Sequence, residues 1–185
     1  MKVIDGGGSA ATLRFAVIQS LFNDAVTKRL LEGALEALRR GGAKDDAVDV
    51  ICVPGAFEIP LVAAQLAKTR RYDALVCLGA VIRGETPHFE YVSAVVSQGI
   101  ARVSYEYGVP VIFGVLTTDT EVQAEARSTG GSNKGSEAGR AAIEMANLMK
   151  RLDTVRGEPV EPRPGHRRKS RPSRGSGRTR RRKLS

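Results

Sequence analysis

Four short, unbroken apolar runs rich in Val, Ile and Leu recur along the chain: "LRFAVIQS" (13–20), "AVDVICV" (47–53), "DALVCLGAV" (73–81) and "PVIFGVLT" (110–117). Continuous rather than alternating hydrophobicity marks strands covered on both faces, as in a parallel sheet. The segments between them carry a helical period. In "NDAVTKRLLEGALEALRR", Asn23 or Asp24 is placed to cap, Val26, Leu30, Leu31, Ala34, Leu35 and Leu38 form one stripe, and Gly41 and Gly42 stop the helix. "EIPLVAAQLAKT" and "YVSAVVSQGIARVSYEYG" follow the same pattern. Strands alternating with helices imply right-handed βαβ crossovers, and a three-layer α/β/α sandwich on a four-stranded parallel sheet follows. A short helix near "TEVQAEARS", a turn "TGGSNKG" and a final helix "SEAGRAAIEMANLMKRL" complete the domain.

At 185 residues the chain has room for one well-covered domain and a tail. Its formal net charge of +9 is unevenly spread. Residues 161–185 hold eleven Lys/Arg against one Glu, whereas residues 1–160, with 18 basic and 19 acidic groups, stand near −1. The basicity belongs to the tail, so the globular part gives no sign of a polyanion partner. The expected division is an N-terminal arm (1–12), a domain (13–152) and a disordered tail (153–185) of Arg, Pro, Gly and Ser, too poor in apolar residues to offset its ordering entropy. Cys52 and Cys77 sit inside apolar runs, where a free thiol behaves as a small hydrophobe. Two such residues make no disulfide framework, and a reducing, cytoplasmic home is expected. No run approaches the roughly 20 apolar residues that cross a bilayer, so a soluble protein without a membrane partner is expected.

In open α/β sheets, ligands bind outside the carboxyl ends of the strands. Each run here ends in something unusual. The first ends in "SLFN", which puts Phe22 on the loop before a helix, either as a staple for the helix start or as a face for a ligand. The second ends in "VPGAFEIP", with Phe57 and Glu58 where the next helix begins. The third ends in "GAVIRGETPH": Gly79 and Gly84 let the backbone approach a ligand, Thr86 offers a hydroxyl, Pro87 fixes the turn, and His88 lands at or near the first turn of a helix. A histidine at the carboxyl edge of a strand is suited to moving protons near neutral pH. Phe113 of the fourth run is core by default but can wall a pocket at the edge, and Arg127 and Lys134 flank the glycine turn as solvated cations or as a phosphate grip. These parts describe a small-molecule site with one acid/base histidine, aromatic faces for a flat ring and a phosphate pocket. No metal cluster, nucleophile elbow or P-loop is present, and "SLFND" lacks the glycine that a flavin-carrier phosphate loop requires.

Taken together, "FN" after the first strand, "VPGAFEIP", "GAVIRGETPHFEYV", "VIFGVLTTDT" and "NKGSEAGRAAIEMANL", in this order and spacing, resemble the 6,7-dimethyl-8-ribityllumazine synthases, the penultimate enzymes of riboflavin biosynthesis. The resemblance runs from about residue 13 to residue 152. It implies a flavodoxin-like topology and a transferase that condenses 5-amino-6-(D-ribitylamino)uracil with 3,4-dihydroxy-2-butanone 4-phosphate, using neither metal nor cofactor. By the family pattern Phe22 stacks on the pyrimidine, the backbone of Ala56, Phe57 and Glu58 with the Glu58 carboxylate holds the ribityl chain, and Ala80, Val81 and Ile82 bind the pyrimidine edge. Phe113 of an adjacent subunit closes the pocket, Glu85, Thr86, Arg127 and Lys134 take the phosphate, and His88 moves protons. The turn "RSTGGSNKG" is one residue shorter than the family's and lacks its first lysine, a departure that bears on Lys134 more than on Arg127. The resemblance also implies a homo-oligomer built on pentamers, with the compact glycine turn suiting the 60-subunit icosahedral shell, and it raises riboflavin synthase as a partner. The basic tail lies outside the resemblance and reads either as a solvated extension or as a polyanion-binding segment.

Overall fold

The computed structural model describes residues 1–155. Four strands, β1 (Phe15–Ser20), β2 (Val48–Val53), β3 (Ala74–Ile82) and β4 (Val111–Thr118), form one parallel sheet in the order β2-β1-β3-β4. This is the strand order of the flavodoxin-like fold, reversing direction at the β1/β3 junction. Three helices join the strands, α1 (Asp24–Arg40), α2 (Ile59–Thr69) and α3 (His88–Tyr107), and two follow β4, α4 (Glu121–Ser128) and α5 (Lys134–Val155). The α/β architecture expected from the alternating pattern is present.

Strand periodicity divides the core. Phe15, Val17, Val76 and Leu78 point to one face and pack with Leu30 and Leu38 of α1 and Ala138 and Ala142 of α5. Ala16, Ile18, Leu75 and Cys77 point to the other, against Ile59 and Ala63 of α2 and Val96 and Ile100 of α3. Fully burying each of the larger aliphatic side chains contributes about 1.5–3 kcal/mol, so these two layers dominate the stability of the domain. Helices α1 and α5 approach closely because small residues face one another. A Cβ on Gly139 would lie 2.7 Å from the Ala34 carbonyl oxygen, and Gly135 sits directly on the Leu30 carbonyl.

Three expectations need correction. All six residues of β1 are buried, but β2, at the edge of the sheet, is covered on neither face throughout: Val50 is 43% exposed and Cys52 is exposed as well. An edge position, invisible in an apolar run, is the reason. Asn23 precedes α1 in the left-handed region (φ 58°, ψ 47°) and its side chain makes no capping bond, while Asp24 pairs with Lys28 at 2.7 Å inside the helix. Helix α5 continues to Val155, past the boundary expected at Leu152; the remainder of the basic tail lies outside the described residues. The arm, residues 1–12, packs along α1 and α5. The Ala10 N–H donates to the Gly41 carbonyl at 2.8 Å and Arg151 Nη1 donates to the Asp5 carboxylate at 2.8 Å.

Candidate functional site

Parallel pairing brings all four carboxyl strand ends to one edge of the sheet. Beyond β1, the Leu21 and Phe22 amides donate to the carbonyls of Val53 and Pro54 at 2.8 and 3.1 Å, which extends the β1–β2 pairing past Ser20. Asn23 then turns the chain. Its left-handed backbone, tolerated by Asn better than by most residues, is fixed by Nδ2 donating to the Ala80 carbonyl of β3 at 2.9 Å. The result is that Phe22 stands outward, 68% exposed, and does not staple α1.

Pro54 and Gly55 end β2, and Ala56–Glu58 form a single helical turn before α2. Ala56 is buried beneath β3 while Phe57 is 56% exposed. The Glu58 carboxylate folds back over Gly55, where a Cβ would meet Glu58 Oε2 at 3.0 Å. Beyond β3, Arg83 leads into the exposed loop 84–87, and His88 is the first residue of α3.

These segments enclose a cleft of about 380 Å³ that brings together Phe22, Ala56, Phe57, Ala80, Val81, Ile82, Thr86 and His88. Most of its wall is apolar, with the Thr86 hydroxyl and the His88 imidazole as polar groups. Phe89 and Val92 also line it. Sequence reading missed both because they fall within an apolar helical stripe; the available signal is Val92, which follows His88 by four residues and Phe89 by three and so neighbours both on the helix surface. Glu58 and Glu85 do not line the cleft.

Phe113, Arg127 and Lys134 come together elsewhere. They line a second, shallower concavity of about 410 Å³ along the free edge of β4, so within one chain they stand apart from His88 and Thr86. Phe113 is 44% exposed there. Arg127 Nη1 donates to the Gln123 carbonyl at 3.0 Å, whereas Lys134 Nζ is held by both Glu137 carboxylate oxygens, at 2.7 and 2.8 Å. The "TGGSNKG" turn is organised from within: Asn133 Oδ1 accepts from the amides of Gly135 and Ser136 at 2.8 and 3.1 Å, and its Nδ2 donates to the carbonyls of Arg29 and Ser128. Those amides serve the start of α5 and are not free for an anion. Among the described residues no group of three His, Cys, Asp or Glu could hold a metal ion, and no helix is long and apolar enough to cross a membrane.

An open parallel sheet whose carboxyl edge holds an apolar cleft with one histidine and one threonine hydroxyl is the frame of a small-molecule enzyme of the α/β class. Residues 12–150 match the profile of one such family, described as 6,7-dimethyl-8-ribityllumazine synthase. A 6,7-dimethyl-8-ribityllumazine synthase of Clostridium kluyveri is 52% identical over 154 residues, which cover 83% of this chain and 100% of that protein. The chain belongs to the 6,7-dimethyl-8-ribityllumazine synthase family.

Proposed function

We propose that the cleft around His88 is the place where this chain carries out its family's reaction, the condensation of 5-amino-6-(D-ribitylamino)uracil with 3,4-dihydroxy-2-butanone 4-phosphate. The product is 6,7-dimethyl-8-ribityllumazine, with release of phosphate and water, and the enzyme is a transferase of riboflavin biosynthesis. The observation that carries this reading is the convergence of Phe22, Ala56, Ala80, Thr86 and His88, from three strand ends, on one cleft.

Phe22 and Phe57 supply exposed aromatic faces for the pyrimidine, and the backbone of Ala80, Val81 and Ile82 meets its edge. The backbone of Ala56–Glu58, with the Glu58 carboxylate, holds the ribityl chain. Thr86, with Glu85 beside it on the loop, receives the phosphate. The primary amine attacks the ketone and expels water to give an imine, phosphate leaves by elimination, and the second ring nitrogen closes on the carbonyl so formed with loss of a further water. His88 takes and returns the protons that each step displaces. Much of the acceleration comes from holding two reactants side by side, an effect that can reach about 7–11 kcal/mol.

The missing cation is supplied by assembly. Phe113 and Arg127 share one concavity, so a neighbouring copy that presents Phe113 to the cleft presents Arg127 with it, placing a guanidinium where the phosphate departs. Exposed Phe22, Phe57 and Phe113 support such a junction, which closes as a ring of five. The unelaborated turn before α5 supports twelve such rings in a 60-subunit shell, and a shell offers riboflavin synthase, consumer of the product, a place to associate. The two unpaired cysteines support a cytoplasmic setting.

The test is direct. The purified protein mixed with both substrates should form the fluorescent lumazine. His88→Ala should lower kcat and Arg127→Ala should weaken binding of the phosphate substrate. No product from the unaltered protein would sink the reading.

The tail carries a separate proposal. Eleven Lys/Arg against one Glu in residues 161–185, multiplied by assembly, make a salt-sensitive binding segment for RNA or another polyanion. Full-length protein should bind labelled RNA with an affinity that falls steeply with salt. Equal binding by protein truncated after Leu152 would end the idea.

A further inference from the structure

The loop that carries Thr86 is almost unsupported. Residues 83–88 are exposed, no described hydrogen bond ties Gly84, Glu85 or Thr86 to the body of the domain, and a Cβ on Gly84 would meet nothing within 4 Å. Its position is therefore set by its two ends, the last pairing of β3 and the first turn of α3.

One side chain holds those ends together. Arg83 Nη1 donates to Glu90 Oε1 at 2.5 Å, Nε donates to Asp119 Oδ1 at 2.7 Å, and the guanidinium carbon lies 4.2 Å from the centroid of the Phe89 ring. The Arg83 backbone N–H donates to the Thr118 carbonyl at 2.9 Å. Asp119 is itself fixed, its amide donating to Gln123 Oε1 at 3.0 Å in the first turn of α4. One planar group thus grips two consecutive residues of the first turn of α3, Phe89 and Glu90, and anchors them to the end of β4. His88 precedes Phe89 directly, and Phe89 lines the cleft.

The Arg83 side chain is 41% exposed and its partners are more so. Exposed ion pairs contribute at most about 1 kcal/mol each, too little for this arrangement to matter chiefly to global stability. Its value is geometric. A guanidinium offers donors in fixed directions and a flat face for an aromatic ring, which an ammonium cannot reproduce.

We propose that Arg83 is a positioning residue, holding the Thr86 loop and His88 in register with the cleft by clamping Phe89, Glu90 and Asp119. The proposal rests on the roles assigned above to Thr86 and His88. Phe22 and Ala56 hang from the ends of β1 and β2, and Ala80 is held by its own pairing with β4 inside β3, so none of them depends on the clamp and the two substrates should respond differently.

The experiment compares Arg83→Gln, Arg83→Lys and Asp119→Asn with the unaltered protein by steady-state kinetics in each substrate, thermal unfolding and amide hydrogen exchange. A misplacement of about 1 Å can cost about 100-fold in rate, so Arg83→Gln should lower kcat at least about tenfold. It should raise KM for the butanone phosphate and leave KM for the ribitylaminouracil within about twofold, with the unfolding midpoint moved by a few degrees at most. Arg83→Lys, which keeps the charge and loses the fork, should recover less than half of the lost kcat, and Asp119→Asn should reproduce part of the defect. Exchange should quicken at the hydrogen-bonded amides of Arg83 and of Glu90 to Val92 and stay unchanged around Phe22 and Ala80. Unaltered kinetics in Arg83→Gln, or KM raised equally for both substrates with a large fall in midpoint, would overturn the proposal. Unchanged exchange at Arg83 and Glu90 to Val92 would overturn it even where no product forms, and an inactive unaltered protein would instead overturn the reading of the site.

Discussion

Gly135 of α5 rests on the carbonyl of Leu30 in α1 with no room for a methyl group between them. The contact joins the two helices that cover one face of the sheet. Gly135→Ala forces them apart and should cost about 1–3 kcal/mol, seen as a lowered thermal midpoint at fixed protein concentration. Gly131→Ala serves as the control: a Cβ there meets nothing within 4 Å, and the midpoint should hardly move.

Lys134 and Arg127 share a concavity but not an electrostatic state. Glu137 already meets the Lys134 charge through both carboxylate oxygens, whereas among the described residues the guanidinium of Arg127 has a backbone carbonyl as its only partner. Arg127→Ala should raise KM for the butanone phosphate about tenfold or more, the effect of losing one or two charged hydrogen bonds. Lys134→Ala should change it by less than about twofold. Initial rates at varied phosphate substrate distinguish the two, and equal losses would count against a main cation at Arg127.

The two thiols should behave oppositely. Cys77 is fully buried between helix layers, and desolvation pushes its thiol well above the usual range, so no thiolate is available. Cys52 is exposed on the edge strand. A disulfide reagent should titrate one thiol per native chain and two after denaturation, and Cys52→Ser should abolish the native reaction.

Tyr72 gives the alkaline limb of stability its sign. Its hydroxyl donates to Asp49 Oδ2 at 2.7 Å; burial first, then this bond and the neighbouring carboxylate, hold the phenol above its ordinary value of 10.0. The protonated phenol is the form that folding favours. The stability it contributes is whole below about pH 10 and is lost as pH rises through the folded value. Tyr72→Phe, which cannot ionise, should show a smaller fall in midpoint between about pH 9 and about pH 11.

The layered fold was legible because it rests on periodicity. Val17 and Val76, or Ala16 and Ile18, are apolar for the reason that decides burial, and their runs announced it. What remained hidden depends on pairing between distant segments. The run containing Val50 reads like the run containing Val17, yet one is at an edge and the other between two neighbours, a difference that arises only from strand order. Asn133 knots the turn before α5 with bonds reaching Arg29, 104 residues away, and nothing local distinguishes it from any other turn asparagine. In the cleft, Thr86 and His88 were legible because Gly84 and Pro87 punctuate the end of a strand. Arg83 was not, since its meaning lies in Asp119, 36 residues on.

The direction of α5 has a practical consequence. Lys150 Nζ reaches Asp73 Oδ1 at 3.1 Å, and Asp73 immediately precedes β3, so the helix finishes at the amino ends of the strands while His88 stands beyond the carboxyl ends. A fluorophore, affinity handle or cargo peptide joined directly after Val155 is therefore tethered on the pole of the domain remote from the His88 cleft. The end of α5 is the natural attachment point for a label that must leave the cleft open.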